Sequence, residues 1–154
     1  LADHGKAELA YELITRPDYP SYGNFVTRGL TALPEDFLRE GQRPNSLNHH
    51  FFGDISAWFI EYIAGIRVNP AGNDCREVRV TPNFIARLDF AEGHYDTVGG
   101  RVAVRWERDG SDIALTVECA DRVHGEIRLP NGCRFKQSQL SFAELESGRY
   151  EIVY

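Results

Sequence analysis

The sequence contains no methionine, and only three of its 154 residues are cysteines, Cys75, Cys119 and Cys133. Three scattered thiols are too few for a disulfide framework and read as ordinary buried cysteines. No stretch approaches the roughly 18 uninterrupted apolar residues of a membrane-spanning helix, so a soluble chain without a membrane partner is expected. A basic excess is also missing. The formal net charge is −6, which argues against nucleic acid as a partner. Residues 1–68 carry 6 basic and 9 acidic side chains and residues 69–154 carry 11 and 14, so neither end forms a charged tail. The chain opens on Leu1 with no leader pattern. The expectation is a processed chain or a piece of a longer one, with its compartment left open between cytoplasm and periplasm or exterior.

What is present is ample apolar material. Hydrophobic residues make up 42%, with nine Phe, seven Tyr and two Trp, which excludes a disordered chain. The hydrophobic period changes once. In residues 5–15, Leu9, Ala10, Leu13 and Ile14 recur at helical spacing, and Pro17 ends that helix. A second helix is predicted over Asn24–Leu33, stopped or kinked by Pro34. A third follows Asp54, with Ile55, Trp58, Phe59, Tyr62, Ile63 and Ile66 on one stripe. Beyond residue 69, short β-rich runs take over. Strands are predicted near Glu77–Thr81, Phe84–Phe90, Gly100–Arg108, Ile113–Cys119, Gly125–Leu129, Cys133–Lys136 and Tyr150–Tyr154. Arg108-Asp-Gly-Ser-Asp112 and Pro130-Asn-Gly132 are turn signals. The reading is α+β, with helices in 1–68 and an antiparallel β-sandwich in 69–154. Ten of the 18 aromatics fall in residues 1–68, more than a few helices can bury among themselves. An open apolar face that belongs against missing helices is therefore expected.

The segment from Tyr19 to Pro70 holds the candidate chemistry. Glu35, Asp36 and Glu40 sit in a loop-like stretch, followed by Asn48, His49 and His50 and an aromatic helix. Sugar sites combine carboxylates for proton transfer, polar groups for hydroxyls and aromatic faces for the ring. On composition alone the three carboxylates read first as solvated loop charges. No metal and no cofactor are expected. Adjacent His49 and His50 rarely face one ion, and no Cys or Asp has ligand spacing to them. Trp58, Phe59 and Trp106 read as core, while Tyr22 and Phe51 are divided between packing and substrate contact.

The order of motifs resembles the bacterial α-L-rhamnosidases, glycoside hydrolase family 78. The matching residues are Tyr19-Pro-Ser-Tyr-Gly23, then Gly29-Leu-Thr-Ala-Leu-Pro-Glu35-Asp-Phe37, then Ser46-Leu-Asn-His49 with Gly53 and Trp58. Gly93-His-Tyr95 and Gly99-Gly-Arg-Val102 before Trp106 are similar to the family's C-terminal sandwich. The resemblance implies the last helices of an (α/α)6 barrel followed by that sandwich. It also implies an inverting hydrolase releasing terminal α-linked L-rhamnose from rhamnose-containing glycosides. Glu35 falls on the family's general base, with Asp36 and Glu40 as alternatives. His49 falls on a histidine of the rhamnose subsite, with Asn48 and Tyr22 beside it as sugar contacts. No residue here matches the general acid. The chain alone is therefore expected to be inactive without the rest of its polypeptide. Family tryptophans are replaced by Tyr22, Pro34 and Phe37. A competing reading is a non-catalytic carbohydrate-binding or packing sandwich with docking helices.

Overall fold

The computed structural model describes residues 1–47, 49–68 and 74–154. The chain divides into two units, Leu1–Ala57 and Trp58–Tyr154.

In the first unit, helix α1 (Ala7–Thr15) buries Ala7 and Ala10. Leu9 and Leu13 of the expected inward stripe stay 43% and 40% exposed. Helix α2 (Tyr22–Thr27) is capped by Ser21, whose buried side chain accepts from the Asn24 N–H at 3.0 Å. Gly23 has no side chain because a Cβ there would fall on the carbonyls of Thr15 and Arg16. The predicted helix to Leu33 stops six residues early. Gly29 adopts φ 72°, its N–H bonds the Val26 carbonyl, and the Leu30 N–H reaches the Phe25 carbonyl. This pair of bonds is a Schellman stop, and it outweighs the apolar spacing that continues beyond it. Val26 at 75%, Leu47 at 53% and Phe51 at 69% remain exposed, while Phe25 is buried. An apolar surface is thus open on this unit, as the aromatic load suggested.

A single α-turn, α3 (Ile55–Trp58), leads into a π-helical turn, Phe59–Ala64. The 3.6-residue stripe read from the sequence therefore breaks up. Ile63, Ala64 and Ile66 are buried, but Phe59 is exposed, because a π-turn takes about one residue more per turn than an α-turn. Helices end at Ala64, where Gly65 takes φ 86°.

Among the described residues nine strands follow: β1 (Ile66–Val68), β2 (Glu77–Val80), β3 (Phe90–Thr97), β4 (Gly100–Asp109), β5 (Asp112–Cys119), β6 (His124–Arg128), β7 (Arg134–Phe135), β8 (Phe142–Glu144) and β9 (Gly148–Val153). They form two sheets, ordered β1-β2-β6-β8 and β3-β4-β5-β9-β7. Every pairing among the described residues is antiparallel except β2 with β6, which runs parallel. The core comes from the inward positions of both sheets: Val78, Val80 and Ile127 from one, Val102, Val104, Trp106, Leu115, Val117 and Ile152 from the other. Trp106 is fully buried, packs edge-on against Phe84 at 5.5 Å, and donates its indole N–H to the Ile63 carbonyl at 2.9 Å.

The predicted strand Phe84–Phe90 is instead a turn. The Leu88 N–H bonds the Ile85 carbonyl, and the Arg108 guanidinium takes the carbonyls of Phe84, Ile85 and Leu88. Those acceptors are thereby satisfied without a neighbouring strand. Strands β1, β3 and β8 were absent from the sequence reading. Strand β3 sits at a sheet edge, and its mostly exposed FAEGHYDT shows no apolar alternation.

Candidate active site

The loop after α2 has little regular structure of its own, so its position is set by a few named contacts. The Arg28 guanidinium donates to the carbonyls of Leu38 and Gln42 at 2.7 Å each and to that of Arg39 at 3.3 Å. Pro34 is fully buried and Leu38 is 2% exposed. Between those anchors, Glu35 and Asp36 are exposed.

Two backbone bonds join this stretch to the histidine segment. The His49 N–H donates to the Leu33 carbonyl at 2.9 Å, and the Glu35 N–H donates to the Ser46 carbonyl at 3.3 Å. Leu33 and Glu35 are therefore tied to His49 and Ser46, although Glu35 and His49 lie fourteen positions apart. His49 is half-buried. Its Nδ1 lies 3.4 Å from the Ser46 hydroxyl, and its ring is parallel to that of His50 with centroids 5.6 Å apart. Among the described residues no group of three His, Cys, Asp or Glu side chains is placed to hold a metal ion.

Tyr22 is half-buried and meets Phe25, Phe37 and Phe52 edge-on at 6.0, 5.6 and 5.5 Å, and Phe37 lies 4.7 Å from Phe52. Phe37 is two residues past Glu35 and Phe52 three past His49, so one aromatic cluster underlies both candidate segments. Burial, and secondarily the charge of Asp54, push the Tyr22 phenol above its usual range. Phe51 stands 69% exposed beside His49, with ring centroids 6.3 Å apart. Asn48 lies outside the described residues.

Glu40 stands apart from the clasp. It lines a pocket of about 340 Å³ with Tyr19, Asn24, Arg28, Leu38 and Gly41. Ser46 had no role in the sequence reading. Its three-residue spacing to His49 was the available signal, but only the folded loop shows its hydroxyl beside the ring and its carbonyl on Glu35.

The second unit has a groove of its own, about 400 Å³, on the five-stranded sheet, walled by Glu92, His94, Arg105, Thr116 and Glu118. Arg105 there is bound to Glu92 at 2.7 Å and Glu107 at 3.2 Å and covers the Phe90 ring at 4.5 Å. Its strongest donor is thus already occupied, as on a solvated sheet face.

Residues 1–63 match the bacterial α-L-rhamnosidase six-hairpin glycosidase domain, and residues 65–140 match the bacterial α-L-rhamnosidase C-terminal domain. The chain belongs to the bacterial α-L-rhamnosidase family. An α-L-rhamnosidase from Alteromonas sp. (strain LOR) is 36% identical over 126 residues, 76% of this chain and 14% of that protein. One from Formosa agariphila is 28% identical over the whole chain, which covers 18% of its length. The chain thus spans less than a fifth of these curated relatives. Among solved structures, the α-L-rhamnosidase of Dictyoglumus thermophilum superposes with a TM-score of 0.80 at 25% identity, over 99% of this chain and 19% of its own. The Streptomyces avermitilis α-L-rhamnosidase, solved with L-rhamnose, shares the fold with a TM-score of 0.80 at 23% identity, over 99% of this chain and 16% of its own. The chain is glycoside-hydrolase related, and its fold is mixed α and β with largely antiparallel sheets.

Proposed function

We propose that this chain supplies the general base and part of the sugar subsite of an inverting α-L-rhamnosidase, whose general acid comes from the rest of the same polypeptide. The observation that carries the reading is the clasp of two backbone hydrogen bonds, Glu35 to Ser46 and His49 to Leu33. In this scheme Glu35 takes a proton from water as that water attacks the anomeric carbon of a terminal α-linked L-rhamnose. The acid protonates the departing glycosidic oxygen from the other face. Inversion requires the two carboxyls about 6.5–9.5 Å apart, so that the water fits between them. His49, Asn48 and Tyr22 bind ring hydroxyls as polar partners. Residues 1–68 close the helical catalytic domain and residues 69–154 form the C-terminal sandwich. Without the acid the leaving oxygen stays unprotonated, and the chain alone does not turn over substrate.

The test uses the full-length polypeptide and an aryl α-L-rhamnoside. Glu35→Gln keeps the size of the side chain but cannot accept the proton from water. Turnover should fall by roughly 10²–10⁴ with little change in KM. Azide, which attacks the anomeric carbon without needing a base, should restore part of the rate and yield the inverted rhamnosyl azide. Near-normal turnover of Glu35→Gln refutes the assignment and moves the base to Asp36 or Glu40.

A further inference from the structure

We infer that Ser46 is the positioning residue that holds the proposed base and the sugar-binding histidine in one register. The inference rests on the site reading above, which uses only the Ser46 backbone, and adds to it a role for the Ser46 side chain. Ser46 contributes two different groups. Its backbone carbonyl receives the Glu35 N–H at 3.3 Å, while its side-chain hydroxyl lies 3.4 Å from His49 Nδ1. The return bond, from the His49 N–H to the Leu33 carbonyl at 2.9 Å, closes the loop, so neither segment shifts without the other.

The chemistry of the ring gives the hydroxyl its purpose. An imidazole has two nitrogens, and the partner at one decides which hydrogen-bonding role the other can play. With the hydroxyl engaged at Nδ1, Nε2 is left to meet a sugar hydroxyl, and the ring cannot rotate freely about its χ angles. At 3.4 Å the contact is long. Hydrogen bonds of catalytic sites are often long before the Michaelis complex forms and tighten within it. The half-buried setting of both Ser46 and His49 shields the contact from competing water.

Ser46→Ala removes the hydroxyl and keeps the carbonyl, so it separates the two roles. In the full-length enzyme, Ser46→Ala should raise KM for an aryl α-L-rhamnoside about fivefold, the effect of one neutral hydrogen bond, with a smaller change in kcat. Ser46→Thr restores the hydroxyl and should return KM to within about twofold of the parent value. In a His49→Ala background, Ser46→Ala should add nothing, because the group it orients is gone. The inference is overturned if Ser46→Ala leaves KM unchanged. It is equally overturned if the same loss recurs in the His49→Ala background, which marks a packing role. Glu35→Gln and His49→Ala report on the underlying site separately. If both damage the enzyme while Ser46→Ala does not, the site stands and the role of Ser46 falls. If both leave activity near normal, the site reading falls and the role of Ser46 with it.

Discussion

Replacing Trp106 by phenylalanine tests the core of the second unit most directly. The indole is fully buried, and its N–H donates to the Ile63 carbonyl at 2.9 Å. Ile63 lies in the last turn of the π-helical segment, where carbonyls run out of partners within the helix. The indole therefore closes a helix end from a neighbouring strand. Phenylalanine retains an aromatic ring toward Phe84 but removes the donor. The lost bond amounts to about 1 kcal/mol, and a desolvated carbonyl left behind adds roughly 1–2 kcal/mol. The smaller ring leaves a void worth about another 1 kcal/mol. The expected destabilisation is about 3–4 kcal/mol, read as a lower urea midpoint with an unchanged slope. Trp58→Phe is the control. That ring is half-buried and stacked on Tyr62 at 5.7 Å, and its replacement should lower stability by about 1 kcal/mol or less. Equal losses at both positions, or a loss under about 1 kcal/mol at Trp106, would refute the reasoning.

Gly125 adopts φ 146° where β6 runs parallel to β2, and a Cβ there would fall on the Val78 carbonyl. Gly125→Ala should therefore lower stability by on the order of 3 kcal/mol in urea unfolding. Gly132→Ala, at φ 89° in open space, should lose only about 1–2 kcal/mol, the strain of the left-handed backbone alone. Asp74 is held at a pKa of about 2, first by the side-chain hydrogen bonds of Arg76 and then by its backbone N–H. Because the folded value is lowered, the stability linked to that pair is complete above the ordinary carboxylate range and is lost as pH falls toward 2. A carboxyl titration by NMR should show the Asp74 midpoint moving up in Arg76→Gln; an unmoved midpoint contradicts the cause given.

Legibility followed the kind of force that fixes each element. The central strand β4 announces itself because its buried Val102, Val104 and Trp106 alternate with partly exposed residues, and period 2 is the geometry of a half-buried strand. The hairpin at residues 108–112 was equally plain from Gly110, which takes φ 62°. Strand β3 was invisible because an edge strand needs only one partner and tolerates a polar sequence. The Phe84–Phe90 stretch misled because its apolar residues are drawn inward by a turn. The carbonyls of that turn are taken by Arg108 some twenty positions away, a pairing that no local pattern encodes. The short α2 and the π-turn show the same limit: apolar spacing says which residues want burial, while Gly29 and Gly65 decide where the helix stops.

The candidate site was legible as a set of residue types and illegible as an arrangement, for a related reason. Between Thr27 and Ile55 the described residues contain only a three-residue 3₁₀ turn, His50–Phe52, as a regular element. The position of Glu35 is set from outside its own segment, by Arg28 on the carbonyls of residues 38, 39 and 42, by buried Pro34, and by Phe37 packed among Tyr22, Phe25 and Phe52. This also bears on the replaced tryptophans. Phe37 stacks on buried Phe25 at 5.4 Å and lies tilted against Phe52 at 4.7 Å, so it serves the scaffold of the loop. A smaller ring at that position and a proline before Glu35 therefore act on where the carboxylate is held. For the base proposed above, an error of about 1 Å in its reach to water costs roughly a hundredfold in rate. The aromatic cluster beneath the loop and the clasp across it are thus two halves of one device, one fixing depth and the other fixing register.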